Sequence, residues 1–454
     1  MKPSTSTVCA VATGLLAFTH LAHASAVERG DDPTAAEPAG EHAVAAESSS
    51  VATVPDPYRR EFGALPALGY SNAYGLGMGV VWTMAKFDPG KNPFAWKISG
   101  LVQANLKTVE GSGLTVPSQN HEVEVDIPGM AGGWLRLVTD VNYYVMLDSP
   151  YYGFGNDTSI TDWTSNLETD DDAYENLRTY NQVSISEPQH NLLARMTVSD
   201  ASTSAHKKRL EVLAGYSIQY KNIEVYDQSK LADDAAAGLG QLHGTESHWL
   251  LMLRSGLMWD TRDHEFAPTR GTFTQALVNW SPGIQEGLQF GHVQAETAWF
   301  TALGTPKLVL AARVRADVFS GTVPFYGATL LGGLSQQHVR GLRFGRYRGD
   351  LEILENLEFR SKLLDFNIGS QRFNLGLTGF FDAGRVWGAS SDDLGPPAAA
   401  TVQADPAIAA NTLHMGVGGG PRIQWGETFL IRCDYGISPT DDTTGFYLTI
   451  GHRF

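Results

Sequence analysis

The chain has 454 residues, a formal net charge of -16, 48 glycines and 10% aromatic residues. That acidic balance argues against nucleic acid as a partner, because phosphate binding needs a basic surface. No stretch reaches the roughly 18 consecutive apolar residues of a membrane-crossing helix, so an exported chain of this kind is either soluble or a barrel.

At the N-terminus, Lys2 precedes a weakly apolar run from Val8 to Leu21, and Ala22, His23 and Ala24 follow. Charged end, short apolar core and A-x-A site are the order of a cleavable export signal, expected over 1–24 with a second site after Ala26. Cys9 falls inside that signal, so Cys433 remains alone and no internal disulfide is expected. Residues 25–64 are rich in Ala, Glu, Ser and Pro with few large apolar side chains. Such a segment cannot bury a core, and a disordered periplasmic linker is expected, too short and polar for a folded periplasmic domain.

From 65 to 454 one large all-β unit is expected, a strand of alternating faces followed by a turn, repeated. Phe94, Trp96, Ile98, Val102, Ala104 and Leu106 share one face, and Lys97, Ser99, Gln103, Asn105 and Lys107 the other. Val123, Val125 and Ile127 alternate with Glu122, Glu124 and Asp126. Leu308, Leu310, Ala312, Val314 and Ala316 alternate with Lys307, Arg313, Arg315 and Asp317. Side chains alternate across a strand, so charge recurs on an inner face. Large aromatics near strand ends (Trp134, Tyr143, Tyr144, Trp249, Trp259, Trp299) and strands long enough for a tilted crossing favour a membrane barrel over a sandwich.

The last strand puts Phe446, Leu448, Ile450, His452 and Phe454 on one face and Tyr447, Thr449, Gly451 and Arg453 on the other. A terminal aromatic behind such alternation resembles the sorting signal of outer-membrane proteins. Counting back from Phe454, strands are expected at 443–454, 427–438, 411–425, 371–388, 350–363, 306–320, 288–303, 270–281, 247–260 and 207–221. Six more fit between 75 and 198, giving about sixteen, an even number as in single-chain bacterial barrels. Long gaps at 148–174, 222–246, 321–349 and 389–410 are expected to face outward, the first being out of phase with the others.

Three stretches carry a resemblance. Gly332-Gly333 and then Val339-Arg340-Gly341-Leu342-Arg343-Phe344 lie in a long loop; Asn356, Glu358 and Arg360 follow on one strand; Phe380-Phe381-Asp382-Ala383-Gly384-Arg385-Val386-Trp387 lie on the next. With Asp260-Thr261-Arg262-Asp263 and Pro268-Thr269-Arg270-Gly271, this resembles the BamA-like barrels, the bacterial surface antigen family of outer-membrane assembly factors and two-partner secretion transporters. It covers 250–454 well and 65–250 loosely. The resemblance implies that the loop folds into the lumen and that Arg340 pairs with acidic residues on the two strands after it. Strand parity puts Glu358 and Asp382 inside, where a permanently charged guanidinium needs carboxylates to receive its donors. Leu342 stands where the family usually has an aromatic, and the periplasmic repeat domains usual in the family are not expected in this chain.

The expectation is therefore an all-β transmembrane antiparallel barrel of about sixteen strands, integral to the outer membrane, with a long extracellular loop in its lumen. By resemblance it assists insertion of proteins into, or translocation across, that membrane; a passive or plugged channel is the alternative. The expected site residues are Val339, Arg340, Gly341, Leu342 and Phe344 of the loop, Glu358 and Asp382 as partners, Phe380 and Gly384 of the strand motif, and Phe454 as insertion signal. Gly75, Gly77 and Gly79 suggest a weakly held edge able to template a client strand. Expected partners are outer-membrane lipid and lipopolysaccharide, and a client polypeptide or a separate periplasmic protein; nucleic acid is not expected. Asp170 to Asp172 read as a solvated loop rather than a metal site, and Ser335 lacks the surroundings of a hydrolase nucleophile, so no cofactor, metal or enzymatic activity is expected.

Overall fold

The computed structural model describes residues 58–454 except 72–74, 92, 110–112, 155–179, 203–207, 238–241, 333–337, 370, 388–412, 427–428 and 451–454. The expected export signal, residues 25–57 of the expected linker, Asp170 to Asp172, Gly333, Ser335 and Phe454 lie outside the described residues.

Eleven strands come first: β1 (Arg59–Ser71), β2 (Gly75–Phe87), β3 (Trp96–Val109), β4 (Gly113–Met130), β5 (Leu135–Pro150), β6 (Gln182–Asp200), β7 (Arg209–Glu224), β8 (His248–Asp260), β9 (Gly271–Pro282), β10 (Gln289–Leu303) and β11 (Thr305–Gly321). A short ribbon of β12 (Thr329–Leu331) and β13 (Tyr347–Gly349) follows. Then come β14 (Leu351–Ile368), β15 (Gln371–Trp387), β16 (His414–Trp425), β17 (Phe429–Ser438) and β18 (Thr443–Ile450). All except the ribbon join one 16-stranded sheet in chain order, each strand antiparallel to the next. The sheet's two ends approach each other. Glu61 and Gly63 of β1 lie against Gly426 and the Phe429 ring, at the turn into β17.

The solvent pattern is that of a soluble protein inverted. Val141, Leu257, Leu377 and Tyr435 are more than half exposed on the outer face, whereas Asp126, Arg136, Arg313, Glu358, Arg360 and Asp382 are buried inside. An apolar exterior around a charged interior is stable only where lipid surrounds the wall, and strand-to-strand pairing along the sheet satisfies the backbone groups there.

Several expectations change. The first strand begins at Arg59, inside the segment expected to be linker. Two strands, β6 and β7, separate the first long connection from the second, so the connections after β5, β7, β11 and β15 all leave the same rim and the first gap is in phase after all. The glycine-rich Gly75, Gly77 and Gly79 lie on β2, which is paired on both sides, so the edge is β1 instead. Tyr143 and Tyr144 sit in mid-strand rather than at an end, and only Tyr143 faces out, because adjacent residues cannot share a face. Phe94 is fully buried against Phe266 at the opposite, short-turn rim rather than facing lipid.

Packed apolar residues cap the long-loop rim. Tyr151, Val183, Ile185, Ile223, Phe325 and Leu231 of the short helix α1 (Lys230–Ala236) form one cluster, drawing three connections together. At the short-turn rim, Glu265 of the β8–β9 turn reaches Arg136 at 2.8 Å while Arg136 also pairs with Asp126 at 2.6 Å.

Candidate functional site in the lumen

The connection between β11 and β14 turns inward. Its tip is Arg340, 4% exposed. The guanidinium Nε and Nη2 donate to the two carboxylate oxygens of Asp382 on β15 at 2.7 and 2.9 Å, a bidentate fork. Nη1 donates to Glu358 on β14 at 2.8 Å and to Asp434 on β17 at 3.0 Å. The Arg340 backbone N–H adds a further bond to Asp382 at 3.1 Å, and the guanidinium lies 3.4 Å from the centroid of the Phe380 ring. Planar charge above an aromatic face with carboxylates at its edge is the arrangement that suits arginine and not lysine.

The two strands after the loop supply Glu358 and Asp382 because both residues sit on inward parity. Asn356, across from Asp382 in register, donates to it at 2.8 Å and accepts from Arg313 of β11 at 2.7 and 3.0 Å. Asp434 was not among the residues singled out from sequence. Its signal was present: Cys433 alternates with Phe429, Ile431 and Tyr435 on the outer face, so its neighbour must point inward. Asp434 also receives Arg422 at 2.6 Å and lies 3.3 Å from Arg432. Glu358 receives Arg360 at 2.9 Å.

Backbone shape admits the tip. Gly341 has φ +102°, and a Cβ there would stand 2.5 Å from the Ser438 nitrogen, so only glycine fits. Its N–H donates to the Tyr447 hydroxyl at 2.8 Å, and its carbonyl accepts from Thr443 at 2.8 Å. On the wall, a Cβ at Gly416 would overlap the Arg340 carbonyl oxygen, while one at Gly384 would stand 2.5 Å from Leu331 of the loop ribbon. Val339 and Leu342 are buried with Leu331, Tyr347, Leu354 and Val386. Tyr347, not the half-buried Phe344, is the aromatic of that cluster, so the space near Leu342 is filled from farther along the loop.

A second tether joins the loop to the β17–β18 turn. The Tyr347 hydroxyl donates to Asp441 at 2.5 Å, and the Tyr347 ring stacks on His414 at 3.9 Å. His414 Nδ1 lies 3.1 Å from Asp441, which also accepts from Ser438 and Thr440. Burial disfavours an ionised Asp441, but the hydrogen bonds from His414, Tyr347 and Thr440 outweigh it and hold the carboxyl well below its usual range. In the ribbon, Arg348 is buried with backbone carbonyls of Phe325 and Pro150 as acceptors, and burial pushes its pKa down to about 10.

The Omp85 superfamily domain matches residues 132–454. Among solved structures, BamA from Haemophilus ducreyi lacking POTRA domains 1–3 is 14% identical, with 87% of this chain and 70% of that chain covered and a TM-score of 0.46. CdiB from Escherichia coli is 13% identical, with 88% and 63% covered and a TM-score of 0.50. CdiB from Acinetobacter baumannii is 12% identical, with 87% and 60% covered and a TM-score of 0.43. This chain thus spans 60–70% of the length of these solved chains. No curated protein matches.

Proposed function

The chain belongs to the Omp85 superfamily and is an integral outer-membrane β-barrel, and from that premise we propose that it assists the insertion of polypeptides into, or their passage across, the outer membrane. The observation that carries this reading is the Arg340 clamp. One buried side chain ties the lumen loop to β14, β15 and β17, and β17 is the strand next to the last. Loop position is thereby coupled to β17, whose first residue, Phe429, lies against Gly63 of β1 at the seam between the two ends of the sheet. A sheet edge that opens is a template for an incoming strand, the mode of β-augmentation.

In this reading Arg340, Glu358, Asp382 and Asp434 are positioning residues, Phe380 and Gly384 form the bed of the loop, and Phe454 marks the chain for its own insertion. Outer-membrane lipid and lipopolysaccharide surround the wall, a client polypeptide engages the seam, and a periplasmic partner delivers the client. Depleting the protein should remove particular outer-membrane or secreted proteins from the envelope; unchanged composition would remove the basis of the proposal.

One observation favours a second reading, a permanently plugged barrel: Val339, Leu342 and Tyr347 of the loop are each at most 3% exposed. A permanent plug predicts unchanged envelope composition, together with ion conductance that rises when Arg340 is replaced.

A further inference from the structure

Beyond client handling, we propose that the lumen floor between β14, β15 and β16 is an oxyanion site, which takes a carboxylate or phosphate group entering from the short-turn rim. Its centre is Arg422, 5% exposed. Nη1 of Arg422 is committed to Asp434 at 2.6 Å, with longer contacts to the Pro421 and Gly420 carbonyls. Nε and Nη2, however, are buried and make no hydrogen bond to any described residue. Those two nitrogens lie along one edge of the guanidinium plane, the fork that grips two oxygens of a carboxylate or phosphate in parallel. The Thr378 hydroxyl, 1% exposed, is likewise without a hydrogen-bond partner among the described residues.

Arg422 and Thr378 line one cavity of about 40 Å³, together with Arg360, Lys362, Lys307 and Asn374. At about 10–15 Å³ for each water, that is room for a group the size of a carboxylate. Lys362, Asn374, Gln424 and Thr269 are shared with a larger cavity of about 490 Å³, which Arg372, Asp365 and Asp263 also line near the short-turn rim. The acidic members of this antechamber have acceptor duties of their own, Asp365 from Asn374 at 2.7 Å and Asp263 from Thr269 at 2.5 Å.

Charge points the same way. Arg340, Arg360, Arg422 and Arg432 share the carboxylates of Glu358, Asp382 and Asp434, a surplus of arginine to which Lys362 adds. In a chain with a net charge of -16, a buried cationic pocket is a local departure that an anion would neutralise. The site rests on this geometry alone and holds whether or not the protein handles clients.

The test is isothermal titration of the full chain in detergent micelles with inorganic phosphate, with a short peptide bearing a free C-terminal carboxylate, and with the same peptide amidated. Phosphate or the acid peptide should bind and the amide should not. Phosphate binding more tightly identifies a free anion as the occupant, and the acid peptide binding more tightly identifies a polypeptide end. Arg422→Lys keeps a cation for Asp434 but loses the open fork, and should weaken binding by about tenfold or more. Thr378→Val, which disturbs no ion pair, should weaken it by a smaller factor and guards against a folding defect in the lysine variant. Absence of binding by either anion, with water serving the open donors, overturns the proposal. So does equal affinity in Arg422→Lys, or an amide that binds as well as the acid.

Discussion

Arg340 meets three carboxylates in the lumen, on Glu358, Asp382 and Asp434. A guanidinium taken from water into a protein interior is costly unless carboxylates meet it, and removing one member of such a set leaves the others uncompensated, at about 3–5 kcal/mol. Arg340→Ala is therefore expected to remove the bidentate partner of Asp382, to leave Glu358 to Arg360 and Asp434 to Arg422, and to release the loop while the wall stays paired. Hydrogen exchange of the amides from His338 to Gly349 should rise in this variant with little change on β8 to β10. Equal protection would mean that the apolar contacts of Val339 and Leu342 hold the loop alone. Asp441 gives a pH signature. Its carboxyl is held below its free value, so its stabilisation is complete above roughly pH 4 and is lost as pH falls further. Acidification below that point should loosen the Tyr347 tether, and Asp441→Asn should already be loose at neutral pH; exchange at Tyr347 across pH 2 to 7 reads both. Of the residues around Arg340, Glu358 and Asp382 were legible as inward carboxylates because their strands alternate cleanly. Parity also places Asp434 inward, but the resemblance implies partners for Arg340 only on the two strands that directly follow the loop.

At the scale of elements, the loop and the strands it rests on were shaped together. Gly341 adopts a backbone angle that other residues rarely reach, and its neighbour atoms leave no space for a Cβ. Gly341→Ala should destabilise the docked loop by about 1–3 kcal/mol without unfolding the barrel. Retained heat-modifiable migration on a gel, together with faster proteolysis between β12 and β13, is the expected pair of results. The wall strands β7 to β11 and β14 to β18 were readable to within about five residues because each carries an alternating run, whereas the three-residue β12 and β13 fell inside a stretch read as a loop. β1 was not readable. Its sequence, with Phe62 and Leu65 on opposite faces and Gly63, Pro66 and Gly69 interrupting, has little alternation, and only pairing with β2 along its whole length makes it a strand. The Tyr347 tether was likewise invisible, because the contact between β13 and the β17–β18 turn joins residues far apart in sequence.

Over the whole molecule, an acidic chain encloses a lumen of paired charge, capped by apolar loops at one rim and crossed at the other by the Glu265–Arg136 contact. Two barriers in series predict that neither opens the pore alone. Single-channel conductance should stay low in Arg340→Ala and in Glu265→Ala and rise in the double variant; a large rise in the first alone would instead support the plugged-channel reading. Coupling of the loop to the seam is tested most directly by adding an unfolded outer-membrane polypeptide to liposomes holding this protein and following its protection from protease. Protection should form faster than with empty liposomes and slow in Arg340→Ala, which uncouples the loop from β14, β15 and β17. A rate equal to that of empty liposomes would contradict the account.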